Sequence, residues 1–173
     1  MKLFCMVLLI LLAGVVAAPM EAVGKQKDYL SAVEADKIRE AETPNERIHL
    51  FLTFADDRLK KFQYELAHPS TNLHAEILNA LLNAYVGCVD DAADLIQLGK
   101  EKQQNVRKGI DLMITRSKEF LATLEQISAG GQERELYKAN LDDAIEGTRD
   151  ALEEAQKAKK DVAAPPVRRK NGA

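Results

Sequence analysis

The residues most able to do chemistry are three histidines and the carboxylates beside them. Two Glu-x-x-His pairs occur, Glu46-Arg47-Ile48-His49 and Glu65-Leu66-Ala67-His68. On a helix this spacing puts carboxylate and imidazole on one face, one turn apart, as in di-iron helix bundles, where the two pairs come from two different helices. Here both pairs fall within one expected helix. Their 19-residue offset separates them by ~28 Å at 1.5 Å per residue, so they cannot share one centre. A turn at Pro69 offers another arrangement, in which Glu65, His68 and His74 converge with Glu76 nearby. Two imidazoles and a carboxylate suit zinc. Against this, His68 falls at a helix C-terminus, where partial positive charge is favourable, and His74 reads as a surface residue. We therefore expect no bound metal and no cofactor, with Glu65, His68 and His74 as the only weak metal candidates.

Other reactive residues carry less. Asp91 falls on an apolar stripe and is expected at its edge, reaching water, because Asp is almost never fully buried unless paired. The alternative is a buried pair with Arg149. Cys88 shares the stripe with Ala84 and reads as a small buried hydrophobe. No base is expected beside it to activate the thiol. The chain has no Cys-x-x-Cys-His, no Gly-rich phosphate loop and no Gly-x-Ser-x-Gly turn, so no catalytic machinery is expected.

These residues must be positioned by helices. Aromatics are 5% of the chain, Trp is absent, and charged residues reach 29%; chains rich in Ala, Leu, Glu and Lys favour helix because unbranched side chains lose little rotamer freedom there. A short helix is expected over 28–42. Thr43-Pro44-Asn45-Glu46 then forms a capping box with proline at the first helical position. The helix it opens carries Ile48, Leu52, Ala55, Leu59, Phe62 and Leu66 on one stripe, widened by Phe51 and Phe54, until Pro69 stops it. Ser70, Thr71 and Asn72 offer caps for a third helix over 73–98, with Leu73, Ile77, Leu81, Ala84, Cys88, Asp91, Leu95 and Leu98 in heptad rhythm. Gly99 and the polar run after it predict a turn, although the heptad phase also threads through Gly99 as one unbroken helix. A fourth helix from Val106 ends at Gly130-Gly131, and a fifth covers 133–161. Its stripe includes Ala144, Ala151, Ala155 and Ala158. Helices of similar length, short connections and 3-4 spacing predict an all-α fold: an antiparallel up-down four-helix bundle with one additional short N-terminal helix.

The two ends of the chain read differently. Lys2, the apolar run 3–16 and Val16-Ala17-Ala18 have the layout of a cleavable secretory signal over 1–18. The run is shorter than the ~20 apolar residues a bilayer core requires, so no stable membrane span is expected after cleavage. A lead-in over 19–27, a helical domain over 28–162 and a basic tail over 163–173 with Pro165-Pro166 and Arg168-Arg169-Lys170 follow. The formal net charge is −3, and loss of Lys2 takes it to −4. That balance argues against nucleic-acid binding, which needs a concentrated basic face. With Cys5 in the leader, Cys88 has no intramolecular disulfide partner, so an exported domain must rely on its core. The missing disulfide, and the absence of any Asn-x-Ser/Thr site, lean toward a bacterial periplasm or secreted location.

The stretch 29–39 (Tyr29-Leu30-Ser31-Ala32-Val33-Glu34-Ala35-Asp36-Lys37-Ile38-Arg39) and Pro44-Asn45-Glu46-Arg47-Ile48 resembles a group of exported bacterial helical proteins with no assigned activity. The resemblance implies export and helix. Together these readings point to a non-enzymatic envelope protein acting through its surface on a protein partner or on copies of itself. Two alternatives are a carrier or sensor holding a small apolar ligand between helices, motivated by the alanine stripe, and a metal-binding protein using the turn around His68 and His74.

Overall fold

The computed structural model of the protein describes residues 29–131 and 133–162. The expected leader over 1–18, the lead-in over 19–27 and the basic tail over 163–173 lie outside the described residues. Within them the chain is all-helical: α1 (Ala32–Glu40), α2 (Pro44–Ala67), α3 (His74–Glu101), α4 (Arg107–Gly130) and α5 (Lys138–Asp161), with a single 3-10 turn (Arg134–Leu136) before α5.

Local sequence explains most of the boundaries. Both α1 and α2 open with a reciprocal capping box. Ser31 Oγ accepts from Glu34 N while Glu34 accepts from Ser31 N. Thr43 Oγ1 and Glu46 do the same for α2, so two backbone N–H groups are satisfied at each start. α2 stops at Ala67, directly before His68-Pro69. α4 ends at Gly130, and Gly131 takes φ +70, the left-handed closure that glycine adopts without a Cβ clash.

Four boundaries depart from expectation. α1, expected over 28–42, begins only after the Ser31 cap and ends at Glu40. Ser70, Thr71 and Asn72 do not cap α3; Leu73 occupies that position with φ 62 and no side-chain cap. Gly99 lies inside α3, which continues to Glu101, so neither a turn beginning at Gly99 nor an unbroken helix to α4 is found. Gly99 is buried because Val106 packs on it: a Cβ there would sit 2.2 Å from Val106 Cγ1. The chain reverses through Gln103, at φ 54, with Gln104 N donating to Gly99 O at 2.8 Å. Finally, residues 134–136 form a 3-10 turn, so α5 begins at Lys138.

α2 packs along α3, α3 against α5, α5 against α4, and α4 against α2, while α3 and α4 touch little. Residue pairs give the directions. Arg149–Glu125 and Lys159–Asp111 run oppositely across α4 and α5. Asn79–Asn140, Tyr85–Thr148 and Lys100–Asp161 run the same way across α3 and α5. Consecutive α3 and α4 are therefore not side-by-side neighbours, although a short turn joins them. Phe62, Leu78, Leu82, Tyr85, Met113, Phe120, Leu124 and Leu141 form the core. Tyr85 meets Phe120 edge to face, with centroids 5.5 Å apart. Its hydroxyl bonds Thr148 Oγ1 at 2.6 Å, so a buried polar tip has a partner, as burial demands.

The α2, α4 and α5 stripes are buried largely as expected. That of α3 is not. Its inward face centres on Leu78, Leu82, Tyr85, Val89, Ala92, Ile96 and Gly99, one residue on from the expected stripe, of which only Cys88 and Asp91 are buried. One residue is ~100° of helix rotation at 3.6 residues per turn. The expected positions Ile77, Leu81, Ala84 and Leu95 are only half-buried, and Leu73 and Leu98 are exposed. α3 is apolar on both phases, so spacing does not choose between them; contact with α2 and α5 together does.

Candidate functional site

The displaced stripe of α3 forms the floor of an outer groove whose other wall is α2. Residues 29–41 lie along its lower half, leaving a cleft of about 560 Å³ beside Ile38. Leu30 is buried there, and Tyr29 lies flat on α3 where Gly87 has no side chain; a Cβ on Gly87 would meet the ring at 2.7 Å. Ile38 lines the bottom of the groove with Phe51, Leu95 and Leu98.

A polar cluster fastens this segment. Arg58 is 8% exposed. It donates to Glu34 Oε2 at 2.7 Å, to Asp57 Oδ2 at 2.6 Å and to the carbonyl of Tyr29 at 3.2 Å. Burial pushes the Glu34 carboxyl up, but hydrogen bonds from Arg58 and Ser31 outweigh it and hold the group at about 2. Burial likewise lowers Arg58, and Glu34, Asp57 and Cys88 together raise it above its ordinary value. Asp91 is 8% exposed, not at the water-reaching edge expected of it, and accepts a hydrogen bond from the Tyr29 hydroxyl. Its expected alternative partner, Arg149, pairs with Glu125 at 2.9 Å instead. Burial, then the nearby Cys88, Asp90 and Asp94, push the Tyr29 phenol up. Cys88 is fully buried beneath this cluster, as its place on the stripe implied.

The upper half of the groove is uncovered by the described residues. Tyr64, Ile77 and Leu81 line a cleft of about 410 Å³ with Lys60, Lys61 and Glu65 at its rim. The same Ile77 and Leu81 continue into a second cleft of about 520 Å³ that ends at Ala84 and Tyr29. Tyr64 and, at the top, Leu73 are each 65% exposed. A run of large apolar side chains at one continuous site differs from the singly scattered apolar residues of an ordinary surface.

The three metal candidates are not brought together. Glu65 and His74 meet, with Oε1 2.7 Å from Nδ1. His68 turns away, stacking on Tyr64 with centroids 4.4 Å apart and placing Nδ1 3.2 Å from the Tyr64 carbonyl. Glu65 is further occupied by Ser70 N and Oγ at 2.8 and 2.9 Å. Among the described residues no group of three or more His, Cys, Asp or Glu is arranged to hold a metal ion. Glu46 of the other Glu-x-x-His pair is spent on its capping box, and His49 lines a surface cleft of about 780 Å³ between the starts of α2 and α4. The second partner of His74 was missed from sequence: Glu133 Oε2 lies 3.0 Å from Nε2, across 59 residues and with no motif to join them. The alanine stripe of α5 is itself buried, bracketing Thr148 and its bond to Tyr85.

The described residues define an all-α protein, and among them no helix is long and apolar enough to cross a membrane. No protein-family model, no curated protein and no solved structure matches the chain.

Proposed function

We propose that the chain is an exported, non-enzymatic helical bundle of the bacterial envelope that binds a partner protein through the upper α2/α3 groove. In this reading the four long helices form a bundle of alternating up-down direction, and α1 rides on the outer groove. The signal-like Lys2, the apolar run 3–16 and Ala17-Ala18 support export.

The observation that carries the reading is the apolar run Tyr64, Ile77, Leu81 and Ala84, left uncovered by the described residues, with exposed Leu73 beyond it on the α3 stripe. The lower half of the same groove indicates what fits it. There Leu30, just before α1, is buried, Ile38 of α1 packs half-buried against the core, and a carboxylate of α1, Glu34, sits on a cation of α2. The upper half carries Lys60 and Lys61 at its rim beside Glu65, each lysine also paired one turn back, with Asp56 and Asp57. It runs the twelve positions from Leu73 to Ala84, ~16 Å at 1.5 Å per residue step. The partner element is therefore an amphipathic helix of about three turns with apolar anchors at i, i+3 and i+4 and an acidic flank.

A photo-crosslinking residue placed at Leu81, and separately at Asp150 on α5, tests this in producing cells. A discrete adduct at position 81 alone, lost in Tyr64→Asp, whose crosslinked peptide maps to an amphipathic helical segment of another protein, supports the proposal. No adduct, equal adducts at both positions, or a band at twice the chain mass refutes it, the last because the occupant is then a second copy.

A further inference from the structure

We propose that His74 is a pH-sensitive clasp: protonated, it ties the connection before α5 to the head of α3, and neutral, it lets that connection go.

The geometry supplies the reason. Nδ1 lies 2.7 Å from Glu65 Oε1 and Nε2 lies 3.0 Å from Glu133 Oε2. A neutral imidazole has one N–H and one lone pair, and only the imidazolium donates from both nitrogens. Both bonds therefore exist together only in the charged ring. The side chain is 14% exposed, so losing either carboxylate is felt. Hydrogen bonding to Glu65 raises the imidazole above its ordinary value, burial works against it, and Glu133 adds to the rise. Glu65 is lowered in turn by His74 and by Ser70.

Every neighbouring element contributes a known group. α2 presents Glu65, and the connection after it presents Ser70, bonded to Glu65. From the same connection His68 is turned to Tyr64. The segment before α5 presents Glu133 and Arg134, the latter directed to Asp142 at 3.7 Å. α3 itself adds Glu76, which is exposed. At the start of α5, Lys138 pairs with Asp142.

The two bonds are unequal, which decides what opens. Glu65 holds Ser70 as well as His74, so when one ring proton leaves, Nδ1–H stays with Glu65. Nε2 then turns a lone pair toward the Glu133 carboxylate, which is repulsive. Glu133 is half-exposed and has φ 53, a left-handed backbone that is strained for a residue with a Cβ. Releasing the clasp relieves that strain. Asn79 Nδ2 still holds Leu136 O at 2.8 Å, and Phe62 still meets Tyr137 edge to face at 5.1 Å, so the opening is confined to the turn 133–136, where Leu136 N donates to Glu133 O at 2.9 Å. Because the folded imidazole value is raised, the clasp is fully present below the unfolded value of ~6.5 and is lost as pH rises through the folded value.

Ring ¹⁵N chemical shifts of His74 and amide exchange at residues 133–136, corrected for intrinsic rates, test this on the full chain. Both ring nitrogens should be protonated at low pH, with a midpoint above ~6.5. Protection at 133–136 should fall several-fold with that same midpoint. Glu133→Gln should lower the midpoint and flatten the protection change, while leaving the fold intact because Glu133 is exposed on one side. A midpoint at or below ~6.5, or protection at 133–136 that ignores the His74 titration, overturns the proposal.

Discussion

Replacing Gly99 by alanine sets two ordinary effects against each other. Gly99 is helical, and alanine in a helix interior is favoured over glycine by about 1 kcal/mol. Propensity alone therefore predicts stabilisation. The packing predicts the reverse. The added Cβ would lie 2.2 Å from Val106 Cγ1 and 3.3 Å from both its Cβ and Cγ2. Val106 is fully buried and sits at the N-cap of α4, so it cannot swing into solvent, and relief requires separating the ends of α3 and α4. Overpacking of this kind costs about 1–3 kcal/mol, and a contact this short belongs at the upper end. The net is destabilisation by about 2 kcal/mol. Denaturant unfolding of Gly99→Ala, Val106→Ala and the double variant measures it. Val106→Ala alone should cost about 1–2 kcal/mol of lost burial, and the double variant should cost less than the sum, because the new methyl enters the space the valine leaves. Gly147 is the control: nothing lies within 4 Å of a Cβ there, so Gly147→Ala should stabilise by about 1 kcal/mol. If Gly99→Ala stabilises as Gly147→Ala does, or if the two Gly99/Val106 changes simply add, the packing argument is refuted.

Three further outcomes follow from buried polar groups. Ser117 is fully buried on α4 and its hydroxyl has no hydrogen-bond partner among the described residues, so Ser117→Ala should stabilise by about 1 kcal/mol, the cost of an unmet buried group; a rise in denaturation midpoint at constant m-value is the readout. Tyr85→Phe removes the bond to Thr148, whose own hydroxyl still donates to Ala144 O at 2.6 Å; the loss should be about 1 kcal/mol, with a loss of several kcal/mol counting against the assigned geometry. Glu34 has a folded value lowered to about 2, so its contribution is fully present above the ordinary carboxylate value of ~4.3 and is lost as pH falls toward the folded one. Glu34→Gln should therefore weaken the protein by about 1.5–3 kcal/mol near neutral pH, the worth of a hydrogen bond to a charged group, and remove this component of acid sensitivity; parallel acid-unfolding curves for variant and wild type would show that the Arg58 contact carries nothing.

The division between sequence and tertiary structure falls along the range of the interactions involved. Features that depend on residues within about one turn of each other were legible. Thr43 to Glu46 announced the α2 cap, Pro69 its end, and Gly131 the close of α4, because each acts through its own backbone or a neighbour's. The all-α class follows from the same local rules applied along the chain. The candidate sites depended on distance. Glu65, His68 and His74 were expected to converge across a turn; Glu65 and His74 meet, His68 turns to Tyr64, and Glu133 joins through the packing of a remote connection. Asp91 looked like an edge residue until Tyr29, 62 positions away, supplied its partner. The outer groove was hidden most completely. α3 carries apolar side chains on two adjacent phases, and hydrophobic spacing is equally satisfied by burying either. Only the placement of α2 and α5 turned Leu78, Leu82 and Tyr85 inward and left Ile77, Leu81 and Leu73 as a surface, because a helix rotates as a rigid body and its neighbours, not its own sequence, determine by which ~100° it turns.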